Sequence, residues 1–146
     1  MNRPWTLRIA LIAIACCMLS LITVPAEASQ DEAVSKAALV FLTHLAPKGY
    51  TEIRNEDADV LSQGQRMTYT VTLYRNVTYA LFAAGCSNIR DLDIFLYDEN
   101  GNLVARDTLR DNYPIVTITP RWTGTFRLQI RNYRGGRGWF HVGIAY

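Results

Sequence analysis

Cysteine is scarce in this chain: three in 146 residues, at positions 16, 17 and 86. Two of them fall in an apolar leader, so beyond residue 28 only Cys86 remains. A single cysteine excludes an internal disulfide. Ala83-Ala84-Gly85-Cys86 reads as the small-residue end of a strand, with Cys86 a buried thiol that acts as a small apolar residue; the alternative is an intermolecular bridge. Histidine is almost as rare. His44 and His141 lie far apart, and neither sits in a nucleophile-elbow pattern. Nucleophilic catalysis needs a nucleophile held by an oriented base, and a zinc centre needs clustered His and Cys. The scarcity counts against both, and the expectation is a protein that is not an enzyme. Strong net charge is missing too, at +2 for the whole chain, so nothing calls for nucleic acid as a partner. There is no internal repeat and no low-complexity segment.

Long apolar runs are limited to one. Ile9 to Val24 is interrupted only by Ser20 and Thr23, and its 16 residues are shorter than the ~20 that a spanning helix needs. Arg3 and Arg8 precede it, and Pro25-Ala26-Glu27-Ala28 follows with small residues in the A-x-A positions. Those three parts make a secretory signal peptide over residues 1–28. The alternatives are a retained N-terminal anchor or lipidation at Cys16. Cleavage after Ala28 would leave 118 residues with 13 bases and 12 acids, a secreted or periplasmic protein with no membrane span. The charge is unevenly spread: residues 31–59 carry six acids against three bases, and residues 121–137 carry five arginines and no acid.

Asp31 to Leu45 reads as one short amphipathic helix, with Val34, Ala37 or Ala38, Phe41 and Leu45 on one face. Ser29 or Asp31 can cap it, and Pro47 and Gly49 stop it. The helix and its linker take up residues 29–49. Tyr50 to Asp59 is polar and acidic, either a linker or an irregular first strand. From Val60 the chain becomes a series of short strands with evenly spaced turns. In Met67–Leu73 the residues Met67, Tyr69, Val71 and Leu73 face one way and three threonines the other. Leu92, Ile94 and Leu96 alternate with Asp93, Phe95 and Tyr97, and Asn100-Gly101 suits a type I′ hairpin turn. Phe126, Leu128 and Ile130 alternate with Arg127, Gln129 and Arg131, and the last strand alternates Phe140, Val142 and Ile144 with His141 on its outer face. The expected fold is all-β: an antiparallel β-sandwich of jelly-roll or Greek-key type with about eight strands.

Several of these runs, in order, resemble the bacterial pre-peptidase C-terminal (PPC) domain. They are Gly64-Gln65 with Tyr69-Thr70-Val71, then Tyr79-Ala80-Leu81, then Asp91-Leu92-Asp93 through Asp98 and Gly101, then Thr123-Gly124-Thr125-Phe126. The resemblance implies a PPC-like β-sandwich domain over 50–146, on an exported protein and outside any catalytic part. Related collagen-binding modules use a similar sandwich, with calcium in some cases.

The richest surface reading is a set of arginines, Arg121, Arg127, Arg131, Arg134 and Arg137, interleaved with Trp122, Tyr133 and Trp139. Arginine with aromatics suits an anionic polymer, a stacked sugar or an acidic protein patch. The candidate ligand residues are Arg127, Arg131, Trp122, Tyr133, Arg137 and Trp139, and the bland alternative is a solvated face paired with the acidic segment 52–59. Asp98-Glu99-Asn100-Gly101-Asn102 fails as an EF-hand, because Leu103 and Leu109 stand where glycine and glutamate are required. A different calcium site built from Asp91, Asp93 and Asp111 is possible, though no cofactor is required. The functional expectation is a binding or accessory module for an exported protein or a cell-envelope or matrix polysaccharide. The alternative is a small periplasmic structural or inhibitory partner that docks through the helix.

Overall fold

In the computed structural model, which describes residues 28–146, the chain builds one helical segment followed by eight strands. The signal-peptide reading lies outside the described residues, apart from Ala28. The strands are β1 (Ile53–Leu61), β2 (Arg66–Leu73), β3 (Tyr79–Gly85), β4 (Ile89–Tyr97), β5 (Leu103–Asp107), β6 (Ile115–Ile118), β7 (Gly124–Gly135) and β8 (Gly138–Ala145). They form two antiparallel four-stranded sheets, in the orders β1-β8-β3-β6 and β2-β7-β4-β5. Those interleaved orders are a jelly roll, two Greek keys closed face to face. The acidic segment is the irregular strand rather than a linker: β1 pairs with β8 and carries a bulge between Arg54 and Asp57.

The period-two pattern decides what lies between the sheets. Val71 and Leu73, Leu92, Ile94 and Leu96, Phe126, Leu128 and Ile130, and Phe140, Val142 and Ile144 are buried together, with Met67 and Tyr69 packed against them. Truncating one of these phenylalanines to alanine costs about 3–5 kcal/mol in a closed core. β3 is buried on both faces. Tyr79, Leu81 and Ala83 point between the sheets, and Ala80, Phe82 and Ala84 point outward beneath the helix. A continuous apolar run is what a strand covered on both sides requires.

The helix α1 (Gln30–Val40) supplies that cover. Ser29 caps it by accepting the Glu32 N–H at 3.2 Å. A π-turn over Phe41–Leu45 and a 3₁₀ turn over Ala46–Lys48 extend it, and Gly49 ends it at φ 95°. The buried stripe is Ala33, Ala37, Val40 and Leu45 with Phe41 packed beside it; of the expected face Ala37, Phe41 and Leu45 turn inward, and Val34 is exposed. Small alanines let the helix sit close against Ala80, Ala84 and Ala145, and that close approach outweighs the larger Val34 side chain. The Lys36 ammonium donates to the Gly85 carbonyl at 3.3 Å, and Ser87 donates to Glu32 at 3.0 Å, so these two helix charges tie it to the end of β3 and the β3–β4 loop.

The β4–β5 hairpin departs from a type I′ turn. Gly101 has positive φ (86°), and Asn100 does not. Asp98 takes over the turn instead. One carboxylate oxygen accepts the N–H groups of Asn100 (2.9 Å) and Asn102 (2.8 Å), the other accepts the Asn102 side-chain amide (2.9 Å), and the Asp98 carbonyl accepts the Gly101 N–H. A carboxylate that satisfies two backbone donors holds a longer loop than the two-residue turn needs.

Candidate functional site

The outer face of the β2-β7-β4-β5 sheet is not covered by the helix. Alternation puts Arg127, Gln129, Arg131 and Tyr133 of β7 on it, and the register sets their neighbours. Arg66 lies opposite Arg131, Thr68 opposite Gln129 and Thr70 opposite Arg127 on β2; Asp93, Phe95 and Tyr97 flank the same three residues on β4, and Arg106 lies beside Phe95 on β5. Arg66, Arg106 and Arg127 are exposed and Arg131 is half-buried. The Arg131 guanidinium lies 4.9 Å from the centre of the Tyr133 ring, a cation–π contact that fixes its orientation. Thr68, Tyr97, Gly101, Arg127 and Gln129 line a groove of about 260 Å³. Gly101 forms one wall because a side chain there would meet the Arg127 guanidinium at 3.1 Å.

Among the described residues, none of the arginines has a carboxylate within 4.0 Å; the two ion pairs are Lys36–Glu32 and His141–Glu56. The acidic segment is engaged elsewhere. Glu52 accepts the Tyr146 hydroxyl at 2.6 Å, Glu56 meets His141 at 3.2 Å, and Asp57 and Asp59 accept the N–H groups of Ala58 and Val60. Among the described residues, then, no carboxylate forms an ion pair with the patch; Asp93, opposite Arg131, is the acid on the same face.

The other predicted ligand residues scatter. Trp122 precedes β7, stacks on Phe126 with ring centres 5.6 Å apart, and donates its indole N–H to Glu99 at 3.1 Å. Arg137 sits in the β7–β8 turn. Trp139 belongs to β8, hence to the opposite sheet. Arg66, Arg106, Phe95 and Tyr97 are the members that the sequence reading missed. Strand pairing brings them in, and no local pattern signals it.

Asp91 and Asp93 share the outer side of β4 and are both almost fully buried, at 3% and 4% exposed. Burial, then the charge of Asp91, pushes the Asp93 carboxyl above its ordinary value, against the pull of Arg131. One Asp91 oxygen has no hydrogen-bond partner. Asp111 sits in the β5–β6 loop, where its carbonyl accepts the Leu92 N–H at 2.8 Å and its carboxylate accepts the Tyr113 N–H at 3.0 Å. Among the described residues, no three His, Cys, Asp or Glu side chains are grouped to hold a metal ion. His44 stacks on Tyr113 with ring centres 5.8 Å apart. His141 does lie on the outer side of its sheet, but buried there against Glu56. Cys86 is a buried free thiol. No described helix is long and apolar enough to cross a membrane.

The class that this fold defines is a jelly-roll sandwich module with one covering helix. Among solved structures it is similar to the pre-peptidase C-terminal domain of a collagenase from Bacillus anthracis, with 15% identity, a TM-score of 0.53, and coverage of 62% of this chain and 87% of that one. It is also similar to PliG of Aeromonas hydrophila, a periplasmic inhibitor of g-type lysozyme, with 13% identity, a TM-score of 0.50, and coverage of 67% and 88%. At such identities the likeness is one of fold. No protein-family model matches the chain, and no curated protein matches it in sequence.

Proposed function

We propose that this protein is an exported, non-catalytic binding module of PPC-like type, and that the outer face of its β2-β7-β4-β5 sheet holds an acidic polysaccharide of the cell envelope or matrix. Residues 1–28 serve as its signal peptide. The observation that carries the reading is the row Arg66, Arg106, Arg127 and Arg131, which among the described residues has no carboxylate within 4.0 Å, Asp93 opposite Arg131 included, and is interspersed with Thr68, Gln129, Phe95, Tyr97 and Tyr133. Guanidinium groups bind carboxylate and sulfate in a bidentate fork, and hydroxyl, amide and ring groups between them suit sugar rings. Affinity electrophoresis through gels that contain a polyuronate or a neutral glucan tests it. Retardation by the polyuronate alone, abolished in an Arg127→Ala/Arg131→Ala variant, is expected. Equal mobility in both gels contradicts the reading. The function needs no cofactor. Melting with calcium and with chelator tests the Asp91–Asp93 pair as an ion site, since an ion bound by the native state alone raises Tm.

A second reading rests on the helix. Val34, Leu39 and Leu42 are exposed on it, and Leu39, Val40, Thr43, His44 and Tyr113 line a largely apolar groove of about 320 Å³. In this reading an exported protein docks there. Capture of a partner that is lost in Leu39→Asp/Leu42→Asp, but kept in Arg127→Ala/Arg131→Ala, would favour it.

A further inference from the structure

A second cationic feature lies at one end of the sandwich, where the β1–β2 turn, the β3–β4 loop and the β7–β8 turn meet. Gln63, Ser87, Asn88, Arg90, Arg134, Gly135 and Gly136 line a polar pocket of about 350 Å³ there. Its construction is specific. Ile89 pairs with Gly135 and Asp91 with Arg134, so Arg90 is an extra residue on β4; Leu92 pairs with Asn132, so Tyr133 is an extra residue on β7. Two consecutive bulges, one on each strand, break the alternation that would send neighbouring side chains to opposite faces, and they re-aim what they carry. Both Arg90 and Arg134 come to the pocket as a result.

Glycine shapes the floor. Gly135 has φ 134°, and a Cβ there would lie 2.4 Å from the Asn88 carbonyl oxygen and 2.8 Å from the Arg90 nitrogen. Gly136 N–H donates to the Asn88 carbonyl at 2.8 Å, and Gly135 N–H donates to the Gln63 side-chain oxygen at 3.4 Å. The nearby acids do not neutralise the two guanidiniums. Asp91, cross-strand from Arg134, is buried, and among the described residues no arginine reaches it within 4.0 Å. Glu32 accepts from Ser87 and pairs with Lys36 at 3.2 Å. Hydrogen bonds from Ser87 and Lys36 outweigh its burial and hold its carboxyl below the ordinary value, so it stays ionised and committed to those partners.

We propose that Arg90 and Arg134 form an oxyanion pocket, distinct from the outer sheet face, that takes one compact anionic group: a carboxylate, sulfate or phosphate. Charge-assisted bonds from two guanidinium forks give such a group several donors in a small space.

Amide NMR of the protein, titrated with acetate, sulfate or inorganic phosphate at ionic strength held constant with chloride, tests this. Saturable shifts confined to Ser87–Arg90 and Arg134–Gly136 are expected with at least one of the three, and the tightest identifies the group. Arg90→Gln and Arg134→Gln should each weaken binding about tenfold or more, without altering Tm, because both side chains are exposed. Arg127→Ala/Arg131→Ala should leave it unchanged, so this site and the sheet-face reading can fail separately. Non-saturating shifts with all three anions, shifts spread over every arginine, or unchanged affinity in both glutamine variants would overturn the proposal.

Discussion

Asn132 shows how much one side chain can carry here. It is fully buried on β7, and its amide donates to the carbonyls of Leu61 (3.1 Å) and Gly136 (2.9 Å), tying the end of β1 to the β7–β8 turn. Asn132→Leu leaves both carbonyls without that donor and is expected to cost about 1–3 kcal/mol in chemical denaturation. Its importance is not legible in the sequence, because the asparagine simply fills one inward position of an alternating strand. Asp98 was legible as a turn residue, but its two backbone bonds were not. Hydrogen bonds from the Asn102 side chain, then from the backbone of Asn102 and Asn100, outweigh burial and hold its carboxyl below the ordinary value. Its contribution is therefore complete above the unfolded value, near 4, and is lost as pH falls through the lower folded value. Asp98→Ala should lower Tm at pH 7 and flatten the acid limb of a Tm-versus-pH curve. Asp93 has the opposite sign. Its raised folded value means that the folded state binds the proton more tightly, so its ionisation costs stability as pH rises from the ordinary carboxylate value through the folded one. Asp93→Asn should remove that decline, and a Tm that falls just as steeply in the variant would contradict it.

Among the elements, the strands were the legible part. Period-two patterning in β2, β4, β7 and β8 set their buried faces directly, because a closed sandwich requires one face of each inside. The helix was legible as a helix, and its buried side was legible except at its first turn. Side-chain size favoured Val34, which is exposed, while Ala33 and Val40 join Ala37 on the buried side, Ala37 and Val40 packing with Ala80, Ala84 and Ala145. The arginine site was half legible for a similar reason. Arg127 and Arg131 share one strand face by alternation, while Arg66 and Arg106 join them only through pairing with β2 and β5. Trp139 was grouped with them because it is near in sequence, yet β8 crosses to the other sheet. Removing residues 29–46 uncovers Phe82 and its alanine neighbours, so the truncated protein should melt lower and bind a hydrophobic dye. An unchanged Tm without dye binding would mean that the helix contributes little to the fold and would strengthen the docking reading.

At the scale of the whole molecule, the two sheets divide the labour. One is covered by the helix, and the other presents arginines to solvent. The two sheets are also joined outside the core. Arg54 of β1 lies 5.6, 5.1 and 5.0 Å from the ring centres of Tyr74, Tyr79 and Tyr146, and it donates to the Thr72 carbonyl at 3.2 Å. Arg54→Met should lower Tm while leaving polymer binding intact, which separates stability from function. Binding through exposed guanidiniums is screened by salt, so affinity for an acidic polymer should fall steeply between low and physiological ionic strength. The most direct measurement is backbone hydrogen exchange by NMR, with and without a polyuronate. The account predicts slowed exchange or shifted amides on β2, β7 and β4 around Thr68, Tyr97, Arg127 and Arg131, and no change along α1. Protection confined to α1 and the Tyr113 loop, or none anywhere at saturating polymer, would contradict it.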